Sequence, residues 1–202
     1  MKLLLATRNR GKARDLQSLL TGTDIEIIGL DAFPHIPEVE EDGDTFAANA
    51  RKKAIEYQHA SGLPTLADDS GLVVDALNGE PGVYSARYAG EPSNDEANNR
   101  KLLHNLEHLK DISKRTARFV SHVVFVPEAG KIFETHGECE GLIDFEPHGT
   151  NGFGYDPLFI HEKYAPRSLG ETSQAEKNAV SHRGQAMRAM LEILIDWRKN
   201  LD

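Results

Sequence analysis

The first 30 residues alternate between apolar and polar blocks in a way that predicts a β-α-β opening. Residues 2–6, KLLLA, form a short continuous apolar run of the kind that makes a buried strand. From about Gly11 to Leu20 the apolar residues Ala13, Leu16 and Leu20 return at helical spacing, and residues 25–30, IEIIGL, read as a second strand. Residues 31–43 hold two prolines and an acidic cluster and read as a loop. The segment 44–62, DTFAANARKKAIEYQHASG, carries a start signal at Asp44 or Thr45 and a stop signal at Gly62, predicting a second helix.

Further along, PTLADDSGLVVDAL reads as strand, tight polar turn and strand. GEPGVYSARYAG is a loop punctuated by Gly and Pro, and Leu102, Leu103, Leu106 and Leu109 mark another amphipathic helix. ARFVSHVVFVPEAGKIFETHGECEG predicts a long hairpin turning between Pro127 and Gly130. HGTNGFGYDPLF is a Gly-rich loop leading into a short strand. A last helix starts at Ser181, with Met187, Met190, Leu191, Leu194 and Ile195 as its inner stripe. Early alternation of strand and helix with a hairpin in the middle predicts an α/β fold: a mixed sheet flanked by helices, bent into two lobes around a cleft.

Composition narrows the functional classes. At 202 residues the chain suits one domain, residues 1–202, and no stretch approaches the roughly 18 apolar residues of a membrane span. The opening MKLLLATRN is too short an apolar run for a secretory signal. Cys139 is the only cysteine, which excludes an intramolecular disulfide and fits a reducing cytoplasm. A formal net charge of -9 argues against broad binding of duplex nucleic acid, though a local basic cluster could still take a small anion. The nine histidines are scattered and give no zinc pattern with the single cysteine.

Five segments carry candidate chemistry. TRNRGK, residues 7–12, stands where a strand passes into a helix, the place for a phosphate loop or merely for a capped turn. It is not a P-loop, because Ala6 and Ala13 stand where Gly and Ser or Thr belong. LADDSG offers two adjacent aspartates, suited either to a turn or to a hard cation. The acidic loop PEVEEDG is most simply solvated, yet one of its glutamates with one aspartate of DDS would suffice for magnesium bound alongside a polyphosphate. NGFGYDP sets two rings in a Gly-rich loop, able to stack on a base or to anchor the loop in the core. Lys177, His182 and Arg183 crowd the start of the last helix, where the dipole disfavours cations, and this suggests a ligand rich in acceptors.

Taken together and in this order, these segments resemble the inosine-triphosphate pyrophosphatase family. The match runs through LATRNRGK, EEDGDTFAANARKKA, LADDSGLVVDALNGEPGVYSARYAG, GFGYDPLF and EKNAVSHRGQAM, nearly the whole chain. The resemblance implies an elongated α/β homodimer that hydrolyses ITP, dITP and XTP to the monophosphate and pyrophosphate, with Mg2+ as cofactor. It assigns Thr7, Arg8, Asn9, Arg10, Gly11 and Lys12 to the substrate's phosphates, with Lys53 reaching the triphosphate. Asp69 becomes base and metal ligand, Ser70 touches substrate, and Glu41 is the second metal carboxylate, with Glu40 beside it. Phe153, Gly154, Tyr155 and Asp156 with Lys177, His182 and Arg183 hold the purine. The competing reading is a P-loop-like nucleotide switch or phosphotransferase, which the missing hydroxyl at position 13 disfavours.

Overall fold

A computed structural model describes residues 1–199. Five α-helices and six strands are described, in the order β1 (Lys2–Leu5), α1 (Arg10–Leu20), β2 (Glu26–Gly29), α2 (Phe46–Ser61), β3 (Thr65–Val74), α3 (Asp95–Asn105), β4 (Thr116–Glu128), β5 (Lys131–Ile143), β6 (Phe159–Ile160), α4 (Gln174–Val180) and α5 (His182–Lys199). The strands form one sheet in the order β2-β1-β3-β4-β5-β6. β1 pairs parallel with both β2 and β3, with Leu4 against Ile28 on one side and Thr65 on the other, while β5 and β6 pair antiparallel. The fold is therefore mixed α/β. Among the described residues no helix is long and apolar enough to cross a membrane.

The chain divides into two compact units. The first comprises residues 1–69, 121–137 and 183–199, the second residues 70–120 and 138–182, so the chain passes from one to the other within β3, β4 and β5 and after the first residue of α5. In the first unit, Leu3, Leu5 and Leu66 pack with Leu16, Leu20, Val123 and Phe125 and with Met187, Met190 and Leu194 of α5. The opposite residues of the same strands, Leu4, Ala67, Val124 and Val126, pack with Ala50, Ala54 and Tyr57 of α2. Strand alternation thus gives this unit a core on each face of its sheet. The second unit has its own core, in which Leu72, Val74, Leu102 and Leu106 meet Phe119, Ile143, Tyr155 and Phe159.

Most of the predicted elements form, and the departures have identifiable causes. LADDSG is no turn: β3 runs unbroken through Asp68, Asp69 and Ser70. Two buried carboxylates can lie in a strand because residues distant in sequence neutralise them, as described below. Leu106 and Leu109 fall beyond the end of α3, although Leu106 is still fully buried. Ile195 is 44 % exposed, off the stripe that buries Met187, Met190 and Leu194 completely. The helix α4 was not expected. It starts on a reciprocal capping box, in which Ser173 accepts from the N–H of Glu176 and the Glu176 carboxylate accepts from the N–H of Ser173.

Candidate active site

The first unit builds a cluster of charge around the C-terminal end of β1. Asn9 caps α1, its Oδ1 accepting from the backbone N–H groups of Gly11 at 2.9 Å and Lys12 at 3.0 Å. The cap takes two donors that a bare helix start would offer an anion. What the loop presents is side-chain charge. Arg8, Asn9 and Arg10 are exposed, Arg8 donates to the Ile36 carbonyl at 3.2 Å, and Thr7 Oγ1 accepts from the N–H of Asn9.

Lys12 projects from the first turn of α1 toward β3. Its ammonium stands 3.4 Å from Asp69 and 3.5 Å from Asp68. From α2, which Thr45 caps and Gly62 ends in the left-handed conformation with φ 69°, Lys53 reaches the same place. It donates to the Asp68 carbonyl at 2.9 Å and stands 2.9 Å from Glu41 and 3.8 Å from Asp69. Of the two neighbouring glutamates, then, Glu41 meets Lys53, while Glu40 is exposed.

Alternation along β3 sends Asp68 and Asp69 to different company. Asp68 accepts a short hydrogen bond from Ser121 and faces Arg183 at 3.4 Å. Arg183, itself buried, also donates to Asp15 of α1 at 2.8 Å. Asp69 belongs with Glu41, Lys12 and Lys53. Neither Asp15 nor Ser121 was expected here. An acid falling beside the apolar Leu16–Leu20 stripe of α1 was the available signal for Asp15.

The electrostatics separate the carboxylates. Burial works against the charged form of Asp68, but Arg183, Lys12 and the Ser121 hydroxyl outweigh it and hold the group well below the usual range. Burial raises Asp69, and although Lys12 and Lys53 oppose it, Glu41 and Asp68 add to the rise. For Glu41 burial also pushes upward, yet Lys53 and Lys12, with a hydrogen bond shared with Asp69, bring its pKa below normal. Lys12 loses to burial but gains more from Asp68 and Asp69, so its ammonium is held above the ordinary lysine value. Among the described residues no three His, Cys, Asp or Glu side chains gather as a metal cage.

The second unit gathers aromatic and basic residues. Lys177 Nζ lies 4.7 Å from the centre of the Phe153 ring and 2.8 Å from Asp156. Asp156 Oδ2 also accepts from the Phe153 N–H at 2.9 Å, so one buried carboxylate fixes both the ring and the cation. This close fold needs Gly152, with φ 76°, because a Cβ there would stand 2.1 Å from Asp156 Oδ2. Gly154 donates to Asp95 at 2.7 Å and accepts from Asn99 at 3.1 Å. Tyr155 is the buried anchor of the loop, its hydroxyl donating to the Ser85 carbonyl at 2.8 Å, while Phe153 is half-buried. His182 is buried and stacks on Phe119, ring centres 4.8 Å apart. Ser70, next after Asp69 in β3, is half-buried. The expected purine group therefore divides. Phe153, Asp156 and Lys177 stand together, His182 lies on Phe119, and Arg183 serves Asp15 and Asp68.

Comparison with known proteins is decisive about ancestry. The family model described as the Ham1 family matches residues 3–193. The chain belongs to the Ham1 family. A dITP/XTP pyrophosphatase of Geobacter sulfurreducens is 50% identical over 198 residues, covering 98% of each chain, and one of Desulforamulus reducens is 49% identical, covering 96% of each. Among solved structures, a HAM1 protein from Coxiella burnetii superposes with a TM-score of 0.86 at 40% identity, covering 97% of this chain and 99% of its own. The Ham1 protein of Staphylococcus aureus gives 0.84 at 37% identity with the same coverage. Ham1 membership agrees with the resemblance read from the sequence.

Proposed function

We propose that the chain hydrolyses deaminated purine nucleoside triphosphates, namely ITP, dITP and XTP, to the monophosphate and pyrophosphate. The observation that carries this reading is the Glu41–Asp69 carboxyl pair under the ammonium groups of Lys12 and Lys53. The names of the Geobacter and Desulforamulus relatives support the same substrate class.

In this mechanism Lys12 and Lys53 turn toward the phosphates of the substrate, with Thr7, Arg8, Asn9, Arg10 and Gly11 shaping the loop around them. Cations aimed at the equatorial oxygens are the main means of lowering a phosphoryl-transfer barrier. Asp69 orients a water and takes its proton as the water oxygen bonds to the α-phosphorus. The bond from that phosphorus to the bridging oxygen breaks, and pyrophosphate leaves with its electron pair. Burial and the neighbouring carboxylates raise Asp69 toward a useful basicity. Asp68, held ionised by Arg183, stays a fixed counter-charge for Lys12.

Two hydrogen-bonded carboxyls sharing one site fit Mg2+, which commonly takes one or two carboxylates and completes its shell with water and phosphate. Glu41 and Asp69 would hold the ion, and bound there it supplies charge neutralisation on the phosphates. The purine falls to Phe153 and Gly154 of the loop that Tyr155 and Asp156 anchor, with Lys177 and His182, and Ser70 touches substrate. Lys177 donates to an O6 acceptor, which hypoxanthine and xanthine carry and adenine lacks. The homodimer implied by the family resemblance belongs to the same proposal, and sedimentation equilibrium checks it.

The test is incubation with ITP, dITP, XTP, GTP and ATP in magnesium, with pyrophosphate assayed separately from orthophosphate. Pyrophosphate release favouring the first three is expected. Orthophosphate as the product, or equal kcat/KM for ITP and ATP, would reject the reading.

A further inference from the structure

Two histidines on neighbouring strands are left unused by this chemistry. His122 of β4 is half-buried and His136 of β5 is exposed, and both belong to the first unit. Their rings stack with centres 5.7 Å apart and planes 22° from parallel.

The spacing has a chemical meaning. A borderline divalent ion bonds imidazole nitrogen at about 2.0–2.1 Å, which puts two ring centres roughly 5 Å apart around a tetrahedral ion. The observed separation is within about 1 Å of this, and turning the side chains from stacked toward converging nitrogens is what binding an ion would require. The surrounding charge is favourable. Glu134 and the carboxylates of Asp68 and Asp69 lie close enough to act on His122 electrostatically. Arg51 is committed to Glu134 through two hydrogen bonds of 2.6 and 2.8 Å and adds no open cation. Burial, together with His136, lowers the pKa of His122, so its ring is neutral at pH 7 and ready as a ligand.

We propose that His122 and His136 form a two-imidazole site for a borderline divalent ion of the copper, nickel or zinc class, completed by water. The donors are nitrogen, so the site is chemically distinct from the oxygen pair Glu41–Asp69 and ignores Mg2+. It does not depend on the proposed hydrolytic activity.

The experiment titrates the untagged full-length protein with Cu2+ and follows the copper EPR signal and the histidine ring protons by NMR. One site with hyperfine coupling to two imidazole nitrogens is expected, broadening the His122 and His136 resonances together. Mg2+ at the same concentration should leave both rings unmoved. His122→Gln and His136→Gln should each weaken Cu2+ binding by about tenfold or more, since each removes half of the chelate. Thermal melts and magnesium-supported turnover should stay at wild-type values and so establish that both variants are folded. Equal affinity in wild type and either variant, or first broadening at another histidine, would overturn the site.

Discussion

The two clusters solve the problem of buried charge in opposite ways. Around β3, carboxylates and cations are drawn from parts of the chain far apart: Lys12 meets Asp69 across 57 positions, Arg183 meets Asp68 across 115 and Asp15 across 168. Around Phe153 the carboxylate that holds ring and cation works over short separations, Asp156 standing three residues from Phe153 and 21 from Lys177, while the neighbouring Gly154 and Tyr155 are tied down from farther off, by Asp95 and Ser85. The first arrangement concentrates field where charge must be moved. The second fixes one ring and one cation beside one carboxylate, an arrangement that on the proposed function serves to recognise a flat, uncharged group. Substitutions in the first should therefore damage turnover or folding, and in the second they should change choice.

The largest effect belongs to Asp69→Asn. The change keeps the shape but removes the proton acceptor and weakens the oxygen pair, so kcat for ITP should fall by about 10²–10⁴. Binding of ITP, measured calorimetrically, should survive at reduced strength. A variant that keeps most of its turnover would take Asp69 out of the role of base and collapse the contrast between the clusters.

Next comes Arg183→Met, which asks whether the first cluster is also structural. Removing the guanidinium leaves Asp15 and Asp68 buried without their shared cation. Breaking a buried pair from one side costs about 3–5 kcal/mol, and denaturant unfolding should show a loss of that size. Asp15→Asn should cost less, since Arg183 keeps Asp68. A stability change below about 1 kcal/mol for Arg183→Met would mean that the residue acts on ligand alone.

Sequence made the local half of this molecule legible. Thr45 and Gly62 mark α2 to within a residue because capping and left-handed termination are written in adjacent positions. Residue chemistry points to one glutamate of the acidic loop and one aspartate of DDS, the family resemblance narrows these to Glu41 and Asp69, and both stand with Lys12 in the fold. The strand through Asp68 and Asp69 was missed because adjacent aspartates locally favour a turn, and the cations that overrule this lie far along the chain. Arg183 shows the same limit. Read beside Lys177 and His182 it looked like a ligand's partner, and only the fold brings it to Asp15 and Asp68. The capping box Ser173-x-x-Glu176 was in plain view, yet seven residues gave too short a period to read α4.

A smaller effect, and one of kind rather than size, is expected from Lys177→Met. Its ammonium sits against the Phe153 ring and Asp156, so losing it removes the donor that the proposed function assigns to O6 without touching Lys12 or Asp69. The ratio of kcat/KM for ITP to that for ATP should shrink by roughly tenfold or more, since a buried donor made to face the wrong base is costly. An unchanged ratio with a uniform loss across bases would place Lys177 on the phosphates and erase the division of labour.

The smallest effect tests whether the second cluster rests on local structure, and it concerns how Lys177 is held. The residue before it, Glu176, closes the capping box of α4 through the N–H of Ser173 at 2.8 Å and lies 3.1 Å from Arg167. The backbone hydrogen bond from Ser173, followed by that from Arg167, lowers the Glu176 carboxyl to about 2. A carboxylate depressed in the folded state stabilises that state above its unfolded pKa of about 4.3, and the contribution is lost as pH falls through about 2. Glu176→Gln should therefore lower Tm at pH 6, and the gap to wild type should close between roughly pH 4.5 and 2. Amide exchange should place the change in α4, with the amides of β3 unaffected, because the charge cluster there makes no use of this cap. A gap that persists unchanged at pH 2 would show that the carboxylate's charge is irrelevant. Slower or faster exchange spreading to β3 would show that the two clusters share their support.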